Sequence, residues 1–446
     1  MIAMKFGGSS VANAERLRNV EKIVRSSLHL KPVLILSAIG DTTDHLLDAA
    51  ENAIKIGPIS VQQAMVKITE THLSVLQELG ISQGMHPDLR ALLEELAGLL
   101  AGISLIKELT NKTRDYLVSF GERLSVRLAA IYFKQCGLSA LSLDAWDAGI
   151  ISDSSYTKAE ILDESWQIIP EKLLPLVGQG IVPVITGFIA KDKDGNITTL
   201  GRGGSDLSAT MIAAACKAVE VQVWKDVDGI LSADPRIVPE AHTVNSISYE
   251  EAAELAYYGA QVLHPRAMQP CIKTGTTVRV KNSYNHSAAG SIIRASDPDD
   301  NNFVRAITTK GNVTLVDIVS SRMLGQHGFL AEVFAVFARH SISIDMVATS
   351  EVSVSLTLDS AFNLKDAVKE LERIASIEVK QKKAIITVIG KVEQSPLVLE
   401  KIFSACKDLN VKIQMISQGA SKVNISFIVE DTQAKDVVRA LHKKFF

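Results

Sequence analysis

Lys5-Phe6-Gly7-Gly8-Ser9-Ser10 follows a short apolar start and precedes a stretch with Leu17, Val20, Val24 and Leu28 at helical spacing. Glycines in such a turn let backbone N–H groups approach a phosphate, and a helix start behind them favours the anion. Lys5 adds a mobile point charge. The pattern GxxxxGK[ST] is absent, so this is not a P-loop NTPase. Taken alone, Gly-Gly between a strand and a helix is also an ordinary turn. Thr199–Asp206 (TLGRGGSD) says more. Ser205 or Asp206 would serve as the N-cap of the Ala-rich helix over Leu207–Ala218. Three glycines around Arg202 exceed what a cap requires, and Arg presents a planar fork for a carboxylate or phosphate. Two cationic, glycine-flanked loops in one chain point to an anion site.

Ser119-Phe120-Gly121-Glu122 is predicted to open a helix over Arg123–Phe133. Glu122 is then either a first-turn glutamate favoured by the helix dipole or a carboxylate that takes a substrate ammonium. Trp224–Arg236 (WKDVDGILSADPR) runs from a strand into an Asp/Gly/Pro loop with Asx-turn chemistry. Ser248-x-x-Glu251 has the spacing of a capping box. His264 precedes Pro265 and reads as structural rather than as a base.

These loops need a scaffold. Val33–Leu36, Ile181–Ile185 and Val221–Trp224 are short apolar runs bounded by turn residues, as buried parallel strands are. They alternate with amphipathic helical stretches across residues 1–300, which implies an α/β domain with a mostly parallel sheet. A chain of 446 residues has room for two or three domains. Its 47 Lys+Arg against 50 Asp+Glu give a formal charge of −3, which disfavours nucleic acid or an anionic membrane as the main partner. Cys136, Cys216, Cys271 and Cys406 are far apart, so neither a disulfide framework nor a metal site of cysteines is expected. No apolar run reaches the ~18 residues of a membrane span. With Lys5 and Gly7-Gly8 so early there is no signal-peptide core, and a cytoplasmic protein is expected.

Asp297–Asn302 (DPDDNN) is a polar linker candidate, and the tail beyond it repeats. Gly328–Met346 and Leu397–Met415 align without gaps at an offset of 69. Each copy follows an apolar strand (Asn312–Ile318; Ala384–Gly390) and precedes an alternating one (Val352–Leu358; Val423–Val429). That is β-α-β-β twice, the beginning of a ferredoxin-like unit. Val333, Val336 and Phe337 read as a core stripe of the first copy.

KFGGSS, SFGE, TGF, TLGRGGSD, WKDVDGI…DPR, GAQVLHP and VKNSY occur in one order. With a duplicated tail containing MLGQHGFLAEVF and ATSEVSVSLTLD, they closely resemble the aspartate kinases over essentially the whole chain. The nearest likeness is to the monofunctional, lysine-sensitive type. The resemblance implies an amino-acid-kinase (carbamate-kinase-like) domain at 1–300 and two ferredoxin-like ACT domains. The first ACT domain would be a regulatory insert at 310–382, and the second would combine 303–309 with 383–446. It also implies the reaction of L-aspartate with ATP and Mg2+ to give 4-phospho-L-aspartate, an early step towards lysine, methionine and threonine. No protein-held metal is implied. A glutamate-kinase-like enzyme of the same fold and a non-catalytic ACT sensor are the alternatives.

Carried over by motif, Lys5 and Asp206 are catalytic, and Gly7, Gly8 and Ser9 bind phosphate. Thr43, Glu122, Phe188, Arg202, Gly203, Gly204 and Ser205 hold the substrate. Lys225, Asp226, Leu231, Arg236 and Gln261 correspond to nucleotide-site positions. Gln261 departs from the Lys of many bacterial members, leaving Lys225 to supply that charge. The effector set is Met323, Gln326, Gly328, Phe329, Leu330, Ser343, Ile344, Asp345, Thr349, Ser350 and Glu351. Lysine is the expected effector, with threonine as the competing one and S-adenosylmethionine as a co-effector implied by resemblance to the plant enzymes. A homodimer or dimer of dimers through the ACT domains is expected. The second copy has Leu397, Gln414 and Ser417 at the offsets of Gly328, Asp345 and Ala348, so it is expected to be structural.

Overall fold

Ile2–Phe6 (β1), apolar except for Lys5, and the apolar run Pro32–Leu36 (β2) are buried at every position, as strands covered on both faces must be. The structure is a computed structural model that describes residues 1–81, 86–259, 263–295, 303–324, 327–359, 363–391, 395–419 and 421–446. Gln261, Gln326 and the linker at Asp297–Asn302 lie outside the described residues. Packing separates one unit of Met1–Ile230, Asn245–Tyr249 and Leu263–Asp297 from another of Leu231–Val244, Glu250–Val262 and Pro298–Phe446.

In the first unit, β1 and β2 are joined in one sheet by Ala140–Leu143 (β3), Val182–Thr186 (β4), Glu220–Lys225 (β7), Ser246–Ser248 (β8), Thr277–Asn282 (β9) and Ser291–Arg294 (β10). Ile189–Lys191 (β5) and Ile197–Thr199 (β6) form a separate hairpin. The sheet order is β3-β4-β2-β1-β7-β9-β10-β8, and only the β9–β10 pairing is antiparallel. From β1 the chain winds first to β2 and later to β7 on its other side. A doubly wound sheet opens a crevice at such a reversal, outside the carboxyl ends of its strands.

Helices Ala14–Ser26 (α1), Thr42–Lys55 (α2), Pro58–Glu78 (α3), Pro87–Ile106 (α4), Asn111–Gln135 (α5), Ser165–Gly178 (α6) and Gly204–Ala215 (α7) follow in chain order, then Tyr249–Tyr257 (α8) and Pro265–Thr274 (α9). Leu17, Val20 and Val24 of α1 meet Leu34, Leu36, Phe120, Leu124 and Phe133 in the main core. Helix α5 corrects the sequence expectation. It starts eight residues before Ser119, capped by Thr110, whose side chain accepts from Thr113 N–H, and carries Glu122 in its middle.

In the second unit, two long strands, Val304–Val319 (β11) and Ser376–Gly390 (β14), run antiparallel at the centre of a six-stranded sheet. Ile344–Thr349 (β12) and Ser353–Leu358 (β13) extend it on one side, Met415–Ser417 (β15) and Asn424–Glu430 (β16) on the other. The β11 register breaks between Lys310 and Val313. Val304–Lys310 pairs with Ile385–Gly390, the segment that also pairs with β16, whereas Thr314–Val319 pairs with β13. Helices Phe329–Arg339 (α10) and Leu364–Leu371 (α11) cover one half, and Ser395–Asp408 (α12) and Asp431–Phe445 (α13) the other. Met346 and Met415, 69 residues apart, are buried in the same small cluster, a direct trace of the duplication.

Candidate active site

The carboxyl ends of β1, β2 and β4 lead into Gly7, Ser37 and Gly187, and around them lies a cleft of about 480 Å³. Lys5, Thr43, Glu122, Phe188, Arg202, Gly203, Gly204, Ser205 and Asp206 line it together with Gly201. Every substrate residue expected from the sequence is therefore at one place, with both expected catalytic residues.

Lys5 is the penultimate residue of strand β1, and its Nζ stands 2.7 Å from Asp206 Oδ1. Both side chains are about one-tenth exposed, so the pair is shielded but open to the cleft. Asp206 is not a cap: α7 begins at Gly204 behind Gly203, with no side-chain cap bond, and Asp206 sits in the first turn. A carboxylate there is favoured by the helix dipole and holds the Lys5 ammonium at the mouth of the helix. Ser205 accepts a hydrogen bond from Ser37 Oγ at 3.1 Å. Gly7 precedes a short 3-10 turn, Gly8–Val11, rather than α1 directly, and Ser9 is exposed on it.

Glu122 is buried and reaches the cleft because α5 passes very close to the loop after β2. A Cβ on Gly121 would stand 2.8 Å from Ala38 Cβ, which is why the helix carries glycine there. Ala38 N–H donates to Glu122 Oε1 at 3.3 Å, and Oε2 finds no partner among the described residues. Burial lifts this carboxyl to about 8. A buried acid with an unused oxygen in a cleft is a receptor for a cation.

Lys225 ends β7, and its ammonium is held below the usual range, mainly by burial, with Lys5 adding repulsion and Asp206 opposing. Asp226 follows it, exposed. Leu231 and Arg236 belong to the second unit, and the Arg236 guanidinium is paired with Asp234 at 2.7 Å. Arg236 is thus engaged within its own loop. His264 caps α9, its ring accepting from Arg266 N–H, in agreement with a structural role.

In the second unit, Gly328 takes a left-handed conformation (φ 92°) at the start of α10. Phe329 packs into the core with Val333, Val336 and Phe337, so among the expected effector residues its ring is not available to a ligand. Met323 and Ile344 pack partly against that core, while Leu330, Ser343, Thr349, Ser350 and Glu351 are exposed. Asp345 is engaged already: Tyr257 Oη–H donates to Oδ1 at 2.6 Å and Lys310 Nζ lies 3.3 Å from Oδ2.

Three residues at or behind the cleft carry no signal in their local sequence. Ser37 is one strand-end residue among several, although its place after β2 is where ligands of such sheets gather. Asp115 and Arg266 act on the backbone of distant loops, through contacts that only the fold creates. Among the described residues, no three His, Cys, Asp or Glu side chains converge as a cation site. No helix among them is long and apolar enough to cross a membrane.

The chain is similar to known proteins along its whole length. Residues 1–282 match the amino acid kinase family, and 316–374 and 386–445 match the ACT domain. The chain is 47% identical to chloroplastic aspartokinase 2 of Arabidopsis thaliana, across 99% of itself and 84% of that protein. It superposes on the crystal structure of Escherichia coli aspartokinase III with aspartate and ADP at a TM-score of 0.84, with 32% identity and full coverage of both chains. The same enzyme with lysine and aspartate gives a TM-score of 0.83 at 32% identity, covering 100% of this chain and 99% of that one. The chain belongs to the amino acid kinase family and, within it, to the aspartokinases.

Proposed function

We propose that this cleft is where the chain phosphorylates the side-chain carboxylate of L-aspartate with ATP. The observation that carries the proposal is the placement of Glu122, with its unused buried oxygen, in one cleft with Arg202 and the Lys5–Asp206 pair. An α-amino acid offers one ammonium and one α-carboxylate. Glu122 takes the ammonium, Arg202 clamps the carboxylate, and Thr43, Phe188, Gly203, Gly204 and Ser205 close around the rest.

The nucleophile is a carboxylate that is ionised at neutral pH, so no base is needed to activate it. The obstacle is repulsion between that carboxylate and the γ-phosphate, and positioning with fixed charge is the remedy. Lys5 neutralises the transferring group, Asp206 aims Lys5, and backbone N–H groups at Gly7, Gly8 and Ser9 donate to phosphate oxygens. Lys225 and Asp226 belong to the nucleotide side, with Leu231, Arg236 and Gln261 assigned there on resemblance alone. Magnesium bound to the phosphates of ATP would screen their charge, and no all-protein cage is assigned to it.

Lysine is the effector we assign to the second unit, at Gly328, Leu330, Ser343, Ile344, Asp345, Thr349, Ser350 and Glu351, with Met323 along its stem and Gln326 by resemblance. The Escherichia coli enzyme seen with lysine supports that choice. We assign domain limits of 1–300, 310–382, and 303–309 with 383–446, a cytoplasmic setting consistent with four free thiols, and pairing of chains through the ACT domains. Purified protein with ATP, magnesium and hydroxylamine should yield the hydroxamate of aspartate and not of glutamate. Equal turnover of glutamate would favour the glutamate-kinase-like alternative.

A further inference from the structure

Asp115 lies on α5, seven residues before Glu122, and is almost fully buried. Among the described residues, its carboxylate accepts no hydrogen bond from a residue lining the cleft. Oδ2 accepts from Thr157 N–H at 2.8 Å and from Thr199 N–H at 2.8 Å. Oδ1 accepts from the Thr199 hydroxyl at 2.9 Å. Arg266, on α9, serves the carbonyls of the same two segments, donating to Leu200 O at 2.8 Å and to Ala159 O at 2.6 Å. Between them Ala159 N–H donates to Thr199 O at 2.8 Å. An acid therefore satisfies the N–H groups and a guanidinium the C=O groups of one short backbone pair.

That pair is the root of the loop that presents Arg202. Gly201 follows Leu200 directly, with φ 71° and a Cβ position only 3.0 Å from Thr157 O. The loop leaves no slack at its base. Its tip, Arg202, is exposed and has no comparable hold among the described residues. The position of the guanidinium is thus inherited from the root, and the root is fastened to the helix that carries Glu122.

We infer that Asp115 and Arg266 are positioning residues for aspartate: they fix the separation between the ammonium receptor on α5 and the carboxylate clamp on the glycine loop. This rests on the reading that Glu122 and Arg202 grip the amino acid. A rigid separation suits the four-carbon diacid because both α-groups must be held while the side-chain carboxylate stays free to attack. Misplacement of a clamp by a fraction of an ångström acts on substrate binding before it acts on the phosphoryl group, which Lys5 and Asp206 handle from other elements.

Asp115→Asn keeps the shape but turns an acceptor oxygen into an N–H2 facing N–H donors. It should raise KM for aspartate roughly tenfold or more while KM for ATP and kcat stay within about threefold. Arg266→Lys, which loses the fork, should move the same constant. Should Asp115→Asn fail to fold, the Thr199 pair decides: Thr199→Ser retains the hydroxyl donor and should resemble the parent, while Thr199→Val should raise KM for aspartate about threefold. A loss confined to the amount of folded enzyme, with KM for aspartate unchanged in Thr199→Val and Arg266→Lys, overturns the inference. Arg202→Ala and Glu122→Gln are the controls for the underlying reading. If neither raises KM for aspartate, that reading fails. If both do and the Asp115, Arg266 and Thr199 variants do not, only the positioning inference fails.

Discussion

The Asp345 carboxylate is already held by Lys310, whose ammonium stands 3.3 Å from Oδ2 and also pairs with Asp359. The chain thus supplies, from the bulge of β11, the same chemical group that a lysine effector would bring. Burial, chiefly, raises the Asp345 pKa, and the Lys310 charge opposes that shift. An effector ammonium at Asp345 has to displace Lys310 first, which scales the apparent affinity down by the fraction of chains in which Asp345 is free of Lys310. Lys310→Met should therefore reduce the lysine concentration for half-inhibition by roughly three- to tenfold. Asp345→Ala should raise it. Inhibition curves on the two variants check both signs, and an unchanged midpoint in Lys310→Met would show that the internal pair does not compete.

Lys5→Ala removes the fixed charge closest to the transferring phosphoryl group in the proposed mechanism. Loss of one preorganised electrostatic contact of this kind costs about 10²–10³ in kcat. KM for aspartate should change much less, because Arg202 and Glu122 hold the amino acid. Steady-state kinetics at saturating ATP separates the two constants. A near-normal kcat would move the phosphoryl role to another residue, Lys225 being next to it in charge.

Most of this site was legible in the sequence, because its groups are carried on short contiguous motifs. KFGGSS and TLGRGGSD each hold a charge and the glycines that let backbone approach it, so residue type and spacing reveal them together. That Glu122 belongs with the cleft was legible, but its setting was not. Ser119 and Gly121 look like a helix start, whereas Gly121 is there for a close helix–loop approach that depends on Ala38, far away in the chain. Asp115 and Arg266 were illegible for the same reason: hydrogen bonds to the main chain of a remote segment leave no pattern around the donor or acceptor. In the tail, the 69-residue offset exposed the duplication. Phe329 stands one turn before Val333, so helical spacing alone puts it on the core stripe with Val336 and Phe337, where the structure packs it.

Glu122 gives a pH dependence with a defined sign. Burial raises its pKa from the ordinary 4.5 to about 8, and only the ionised form receives an ammonium well. KM for aspartate should fall as pH rises towards about 8 and then level off. Between 4.5 and about 8 the folded chain retains a proton that the unfolded chain has released. This group's contribution to stability is therefore greatest below 4.5 and is lost as pH rises through about 8. Glu122→Gln mimics the neutral acid, so it should raise KM for aspartate, flatten its pH profile, and remain more stable relative to the parent at pH 9 than at pH 6. Thermal unfolding with and without aspartate measures this, and saturating aspartate should narrow the gap by supplying the missing countercharge. Parallel pH profiles for the parent and Glu122→Gln would rule out Glu122 as the titrating group.

Gly203 is the position at which the glycine loop tolerates least. Its φ of 74° lies in the left-handed region, and an added Cβ would stand 2.7 Å from His264 Cβ. The first feature costs an alanine about 1 kcal/mol or more. The second cannot be relieved by a rotamer change, because His264 Cβ is fixed by the backbone just before α9. The loop must move instead, and Arg202, its immediate neighbour, moves with it. Gly203→Ala should lower the thermal midpoint modestly and raise KM for aspartate by about tenfold, with KM for ATP less affected. Gly178→Ala is the matched control: it ends α6, meets nothing within 4 Å and has no positive φ, so it should leave KM for aspartate unchanged. If Gly203→Ala binds aspartate as the parent does, the loop has slack that its geometry denies, and the rigid presentation of Arg202 would have to be abandoned.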